Sequence, residues 1–201
     1  MHNLGHSHED VRKQEWNREP NRGEELKGKT IGIIGFGHTG PAFAKKLSSF
    51  DVTILAYDKY KDGLSEKAPY VEEVTLKELK RRSEVVSIHL PLTSETNRWV
   101  DDEWLSSCKQ GAILINTSRG AIVNSPNLLT HIESGHLKGA CLDVLENELP
   151  DTWEGELKQV YLSLLERKNV IITPHIAGWT LQSLKLIASI LLRKTIAFYQ
   201  D

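Results

Sequence analysis

Cysteine is scarce: only Cys108 and Cys141 occur among 201 residues. Two thiols in dissimilar surroundings cannot staple a disulfide scaffold, so a reduced, cytoplasmic protein is expected. No charge of one sign dominates, since 25 Lys and Arg stand against 27 Asp and Glu, a net of −2. That balance argues against a protein held on nucleic acid by phosphate contacts. Long apolar runs are missing too. The longest stretch free of Asp, Glu, Lys and Arg runs from Asn169 to Leu184, and Pro174, His175 and Gly178 interrupt it. No membrane span is expected. The opening MHNLGHSHED has no apolar signal-peptide core. Residues 1–28 hold only Leu4, Val11, Trp16 and Leu26 as sizeable apolar groups. That is too little for a core, so a helix near Glu9–Trp16 and an extended arm are expected to lean on something else.

What is present is a globular composition, 39% hydrophobic, above the range of disordered chains. Short β-rich runs recur at Thr30–Ile34, Thr53–Tyr57, Val85–Ile88, Ala112–Ile115, Gly139–Leu142 and Val170–Ile172, with a weaker one near Tyr70–Val71. They lack clean alternation, as strands covered on both faces do. Between them lie helical patterns. Phe43, Leu47 and Phe50 fall at i, i+4 and i+7. Thr75 and Glu78 form a capping box. Ser125 before Pro126 marks a helix start, with Leu128, Leu129 and Ile132 as its stripe. A last helix carries Leu181, Leu184, Ile187, Ala188, Leu191 and Thr195 on one side. Strand–helix alternation predicts an α/β fold: a doubly wound parallel sheet over 29–201, in three α/β/α layers.

Gly35, Gly37 and Gly40 make a G-x-G-x-x-G after the first strand, with His38 and Thr39 inside it. Alone the motif is weak. Placed between a strand and a helix, it permits a tight turn, close backbone approach to a pyrophosphate, and helix–strand packing. Eighteen residues past Gly40 stands Asp58, at the end of the second strand. A carboxylate there accepts from an adenosine ribose and repels a 2′-phosphate, which favours NAD over NADP.

Ligands of such sheets bind beyond the carboxyl ends of the strands. There the sequence sets His89, Leu90 and Pro91, then Thr117, Ser118 and Arg119, then Asp143, Glu146 and Glu148, then His175, Ala177 and Gly178. Taken singly, each has an ordinary reading as a loop or capping group. Together they offer a proton carrier near neutral pH, a carboxylate to orient it, and a forked cation for an α-keto acid. Hydride chemistry on a carbonyl is the expectation.

The series GIIGFGHTG, AYDKY, VVSIHLPLTSET, ILINTSRGAIVN, GACLDVLENE and ITPHIAGWT resembles the NAD-binding Rossmann domain of the D-isomer-specific 2-hydroxyacid dehydrogenases, in particular the phosphoglycerate dehydrogenase branch. The resemblance runs from about Val11 to the end. It implies an NAD-dependent oxidoreductase of a D-2-hydroxy acid or 2-keto acid. The family arginine falls on Arg119, the carboxylate on Glu148 and the acid/base histidine on His175. Glu148 is preferred to Glu146 because the family carboxylate lies five residues past the aspartate matched by Asp143. Cofactor positions fall on His38, Thr39, Asp58, Thr117, Ser118, Asp143, Ala177 and Gly178, and His89–Pro91 line the adenosine side. A homodimer is implied as well, residues 1–28 being the end of an interdomain connection and a dimer arm.

Two departures from the pattern stand out. The family's substrate domain is largely absent from these residues. Trp179 replaces a small residue and is expected to narrow the mouth near His175. The alternative to an enzyme is a catalytically incomplete NAD-binding or scaffolding module.

Overall fold

The computed structural model of the protein describes residues 3–200. Seven strands, β1 (Thr30–Ile34), β2 (Thr53–Tyr57), β3 (Glu72–Glu73), β4 (Val85–Ile88), β5 (Ala112–Asn116), β6 (Leu137–Leu142) and β7 (Val170–Ile172), form one parallel sheet in the order β3-β2-β1-β4-β5-β6-β7. The order reverses between β1 and β4. That switch point opens a crevice at the carboxyl end of β1, where the glycine loop begins. The weak strand expected near Tyr70–Val71 lies one step later, where Glu72 and Glu73 register with Leu55 and Ala56; Val71 instead turns its side chain into the core.

The helices are α1 (Leu4–Arg12), α2 (Thr39–Leu47), α3 (Leu64–Lys67), α4 (Leu76–Arg82), α5 (Asp102–Ser106), α6 (Ser125–Glu133), α7 (Gly155–Glu166) and α8 (Leu181–Gln200). One apolar cluster joins the sheet to α4, α5, α6 and α7 through Leu79, Leu105, Leu128 and Tyr161, all fully buried. A second joins it to α2 and α3 through Ile33, Ala44, Leu47 and Leu64. Three layers result, as a parallel sheet requires. The third layer is incomplete. Among the described residues no helix covers β5–β7 on the face of α2 and α3, and a groove of about 550 Å³ opens there over Ile113, Ile115, Cys141 and Ile171.

Several local expectations are corrected. The first helix is Leu4–Arg12 rather than Glu9–Trp16, because Gln14 takes a left-handed backbone (φ 65°) just past its end. Helix α2 stops at Leu47, where Ser48 and Ser49 bond back to the carbonyls of Lys45 and Lys46; Phe50 falls outside it and is exposed. Helix α6 is capped by Asn124, whose side chain accepts from Asn127 N, with Ser125 as its first residue. The capping box of Thr75 and Glu78 is present. Helix α8 exists, yet Leu184, Ile187 and Leu191 on its stripe are exposed. The arm before β1 is tied down by ions: Glu24 pairs with Lys29 and Lys138, which hold its carboxyl down to about 2. The ends of the two expected segments, Met1 and Asp201, lie outside the described residues.

Candidate active site

Two glycines of the loop are demanded by packing and one is not. Gly35 has φ 92°, and a Cβ there would lie 2.4 Å from the His89 carbonyl oxygen. A Cβ on Gly40 would lie 2.1 Å from the Gly35 carbonyl oxygen. Gly37 meets nothing within 4 Å. It faces open space, so its missing side chain serves access rather than folding. His38 precedes α2 without capping it by its side chain, so the first helical N–H groups have no side-chain acceptor from it.

Asp58 fixes the loop from the next strand. Its Oδ2 accepts from Phe36 N at 2.7 Å and its Oδ1 from Tyr60 N at 3.0 Å. Each carboxylate oxygen keeps a further acceptor site, enough for two ribose hydroxyls. Asp58, Gly37, Tyr57, Leu90 and Pro91 line a cavity of about 450 Å³. His89 closes its inner wall, with Nδ1 3.2 Å from Thr39 Oγ1 and Nε2 2.9 Å from Ser87 Oγ. Burial pushes its imidazole down to about 4, so the ring is neutral at pH 7. An unobstructed glycine, an uncapped helix start, a carboxylate with acceptors to spare and a half-apolar cavity fit an adenine dinucleotide.

Asn116, fully buried at the end of β5, shapes the next loop. Its Oδ1 accepts from Ser118 N at 3.0 Å and its Nδ2 donates to the Arg119 carbonyl at 3.0 Å. Ser118 Oγ donates to the Ile88 carbonyl at 2.7 Å, tying this loop to β4. Thr117 is exposed on the rim. Gly120 is forced, since a Cβ there would overlap the Leu145 carbonyl. The Arg119 guanidinium is exposed and donates to the Ser118 carbonyl at 2.7 Å. Among the described residues no hydrogen bond joins it to Glu148 or His175.

Asp143, 5% exposed, holds the loop after β7. Its carboxylate accepts from Thr173 Oγ1 at 2.5 Å, Ile176 N at 2.9 Å and Ala177 N at 2.8 Å. Burial alone would raise this carboxyl; those donors, with the His175 imidazole nearby, outweigh it and hold it below its ordinary value. The Asp143 carbonyl accepts from His175 N at 2.8 Å. Thus His175 is pinned in a left-handed backbone, φ 56°, a conformation most side chains avoid and that persists only where its surroundings enforce it. Its Nδ1 lies 3.0 Å from Glu148 Oε2, which places the pair beside a cavity of about 250 Å³ that includes Leu145, Trp153 and Pro174. Glu146 is engaged elsewhere, 3.2 Å from Arg98 Nε.

The rim therefore brings Glu148 to His175 and the loop of Ala177 and Gly178 to Asp143, while Arg119 stands apart. Trp179 is 69% exposed and does not line the cavity around His175. Sequence reading gave no role to Asn116 and Thr173, which help to orient the loops. A polar residue closing an apolar strand was the available signal for Asn116. Among the described residues no three metal-binding side chains cluster.

A parallel sheet with its glycine loop at the switch point and an acidic residue ending the second strand defines a dinucleotide-binding domain. The family described as D-isomer specific 2-hydroxyacid dehydrogenase, NAD binding domain, matches residues 1–177, and the chain belongs to that family. A glyoxylate reductase of Thermofilum pendens is 41% identical over 184 residues, 90% of this chain and 52% of that protein. A D-3-phosphoglycerate dehydrogenase of Bacillus subtilis is 32% identical over 198 residues, 98% of this chain and 36% of that protein. Among solved structures, a D-lactate dehydrogenase from Aquifex aeolicus, complexed with NAD and lactic acid, superposes with a TM-score of 0.86 at 32% identity. That match covers 98% of this chain and 62% of that one. The chain spans about half the length of the curated relatives it matches. Among the described residues no helix is long and apolar enough to cross a membrane.

Proposed function

We propose that this chain binds NAD along the carboxyl rim of its sheet and carries the proton-transfer side of a D-2-hydroxy acid dehydrogenase. The observation that carries this reading is the 3.0 Å contact of His175 Nδ1 with Glu148 Oε2, on the same rim as the glycine loop. NAD supplies the hydride acceptor. With its Nδ1–H donated to Glu148, the ring leaves Nε2 free to take the hydroxyl proton as a carbonyl forms. Glu148 fixes the tautomer and stabilises the resulting imidazolium. Arg119, exposed and hydrogen-bonded to neither, anchors the carboxylate of the 2-hydroxy or 2-keto acid in fork geometry. Gly35, Gly37, His38, Thr39 and Gly40 take the pyrophosphate, Asp58 the adenosine ribose, and Leu90 and Pro91 the adenine. Thr117, Ser118, Ala177 and Gly178 face the nicotinamide end, and Asp143 acts there by holding the loop of Ala177 in place.

Calorimetric titration with NAD and NADP tests the cofactor assignment. The intact chain is expected to prefer NAD, and Asp58→Ala to reduce that preference by roughly tenfold, the scale of a charge-assisted hydrogen bond. Equal affinity of the intact chain for both would remove it.

A half-exposed pair, with His175 and Glu148 side chains 45% and 44% accessible, also favours a second reading: a NAD-binding module that the 201 residues alone do not turn over. We assign it further to a homodimer in a reducing, cytoplasmic setting. The arm's Trp16 is 80% exposed and Leu4 75%, surface that a symmetric partner would cover, and both cysteines are free. Sedimentation of the chain with and without residues 1–27 checks this; a monomer in both preparations rules it out.

A further inference from the structure

The segment after β2 reads Asp58-Lys59-Tyr60-Lys61, an internal conflict. A carboxylate at this position selects NAD, whereas a cation beside it accommodates the 2′-phosphate of NADP. Here two ammonium groups flank the carboxylate. Both line the same cavity as Asp58, and the structure disposes of each. Lys61 Nζ donates to the Phe36 carbonyl at 2.9 Å and is spent on the glycine loop. Lys59 Nζ donates to Glu95 Oε2 at 2.7 Å. The Tyr60 hydroxyl donates to the same oxygen at 2.7 Å. Glu95 comes from the loop after β4, so three side chains bridge the two loops that wall the cavity. The Glu95 carboxylate holds the Lys59 ammonium above its ordinary value, and Lys59 holds Glu95 below its own.

We infer that Glu95 is a second determinant of coenzyme choice, a positioning residue that withholds Lys59 from the 2′-phosphate. This inference rests on the NAD reading of the cavity and deepens it. With Glu95 in place, two carboxylates balance two ammoniums around the ribose end, and an incoming phosphate of charge near −2 gains no unpaired cation. With Glu95 neutralised, Lys59 is released one residue from Asp58 and is free to meet that phosphate. Exposed ion pairs contribute little to folding, so the arrangement changes selectivity without being needed for the fold.

The test is the ratio of NADP to NAD dissociation constants, measured by calorimetry on the 201-residue chain. Glu95→Gln is expected to lower that ratio roughly five- to tenfold, the range from a strong exposed pair to a charge-assisted bond. Adding Lys59→Ala to Glu95→Gln is expected to restore it, and raised salt to shrink the gain. A merely structural role for Glu95 would weaken both coenzymes alike and leave the ratio in place. An unmoved ratio, or one that Lys59→Ala does not restore, overturns the inference. Those results count against it alone when the intact chain still prefers NAD; a chain that binds no NAD takes down the cofactor reading and this one together.

Discussion

On the side of the rim proposed for adenosine, Gly37 and Asp58 face a cavity of about 450 Å³, and Asp58, Lys59, Lys61 and Glu95 around it are each held by backbone or by the facing loop. On the opposite side, His175 and Glu148 border about 250 Å³ and stand half in water. The first half is finished by the sheet and its loops. The second is aimed but not enclosed. Binding demands complementarity only in the ground state, whereas hydride transfer demands orientation and exclusion of water at the moment of reaction. One domain of this kind is therefore expected to bind its cofactor well before it turns substrate over.

The largest effect that would break this contrast concerns turnover. The 201 residues alone are expected to bind NAD and to oxidise 2-hydroxy acids slowly or not measurably. Fusing them to the half of a relative that they do not span should bring turnover up. In that longer protein His175→Ala should lower kcat by roughly 10²- to 10⁴-fold, the usual contribution of a positioned acid/base group, and Glu148→Gln by less. Steady-state rates with D-lactate and D-glycerate check this. Brisk, His175-dependent turnover by the 201 residues would show that the exposed pair needs no enclosure.

The glycines give the next largest effect and separate folding from binding on the adenosine side. Gly35→Ala places a Cβ 2.4 Å from a carbonyl oxygen in a left-handed backbone, a strain of about 1–3 kcal/mol before any clash is relieved. Its melting temperature should fall well below that of the parent. Gly37→Ala meets nothing within 4 Å and should melt within a few degrees of it, yet bind NAD more weakly, because the new methyl enters the space of the ligand. Undiminished NAD affinity in Gly37→Ala would mean that the pyrophosphate does not pass over this loop.

Much of this contrast is legible in the residues. Six strands and their order in the chain follow from short apolar runs, and the residues at their carboxyl ends follow in turn, because a parallel sheet puts all those ends on one rim. Local chemistry is equally plain where it is self-contained, as in the Thr75–Glu78 capping box. What escapes is set by partners far off in sequence. Glu72 and Glu73 become a strand only because β2 offers an open edge. Asn116 and Asp143 look like rim groups yet spend their hydrogen bonds holding loops in place. The bridge from Glu95 to Lys59 spans two loops with no shared periodicity. Helix α8 shows the converse: its stripe is clear in the sequence, but a stripe does not say what covers it, and Leu184, Ile187 and Leu191 remain exposed.

A third expected effect distinguishes the two halves by acid. His89 sits within the adenosine wall, its ring 5.5 Å from that of Phe43, and burial lowers its pKa to about 4 from an unfolded value near 6.5. Above about pH 6.5 the ring is neutral whether the chain is folded or not, and its contribution to stability is complete. As pH falls from about 6.5 toward 4, the unfolded chain takes up a proton that the folded chain refuses, so stability is lost across that window. The full loss is about 3 kcal/mol, and it ends once the folded ring also protonates. On the His175 side the buried group is Asp143, whose carboxyl is held below its ordinary value. Its contribution is present above the unfolded carboxylate pKa near 3.9 and disappears only as pH falls through the lower folded value. Acid should therefore loosen the wall around His89 before it loosens the loop that carries His175. Urea midpoints at pH 7, 5.5 and 4.5 measure the first loss, and His89→Gln, which keeps the side chain polar but cannot titrate, should flatten it. Equal slopes for the parent and His89→Gln over that range would show that the buried ring is not the group that acid attacks first.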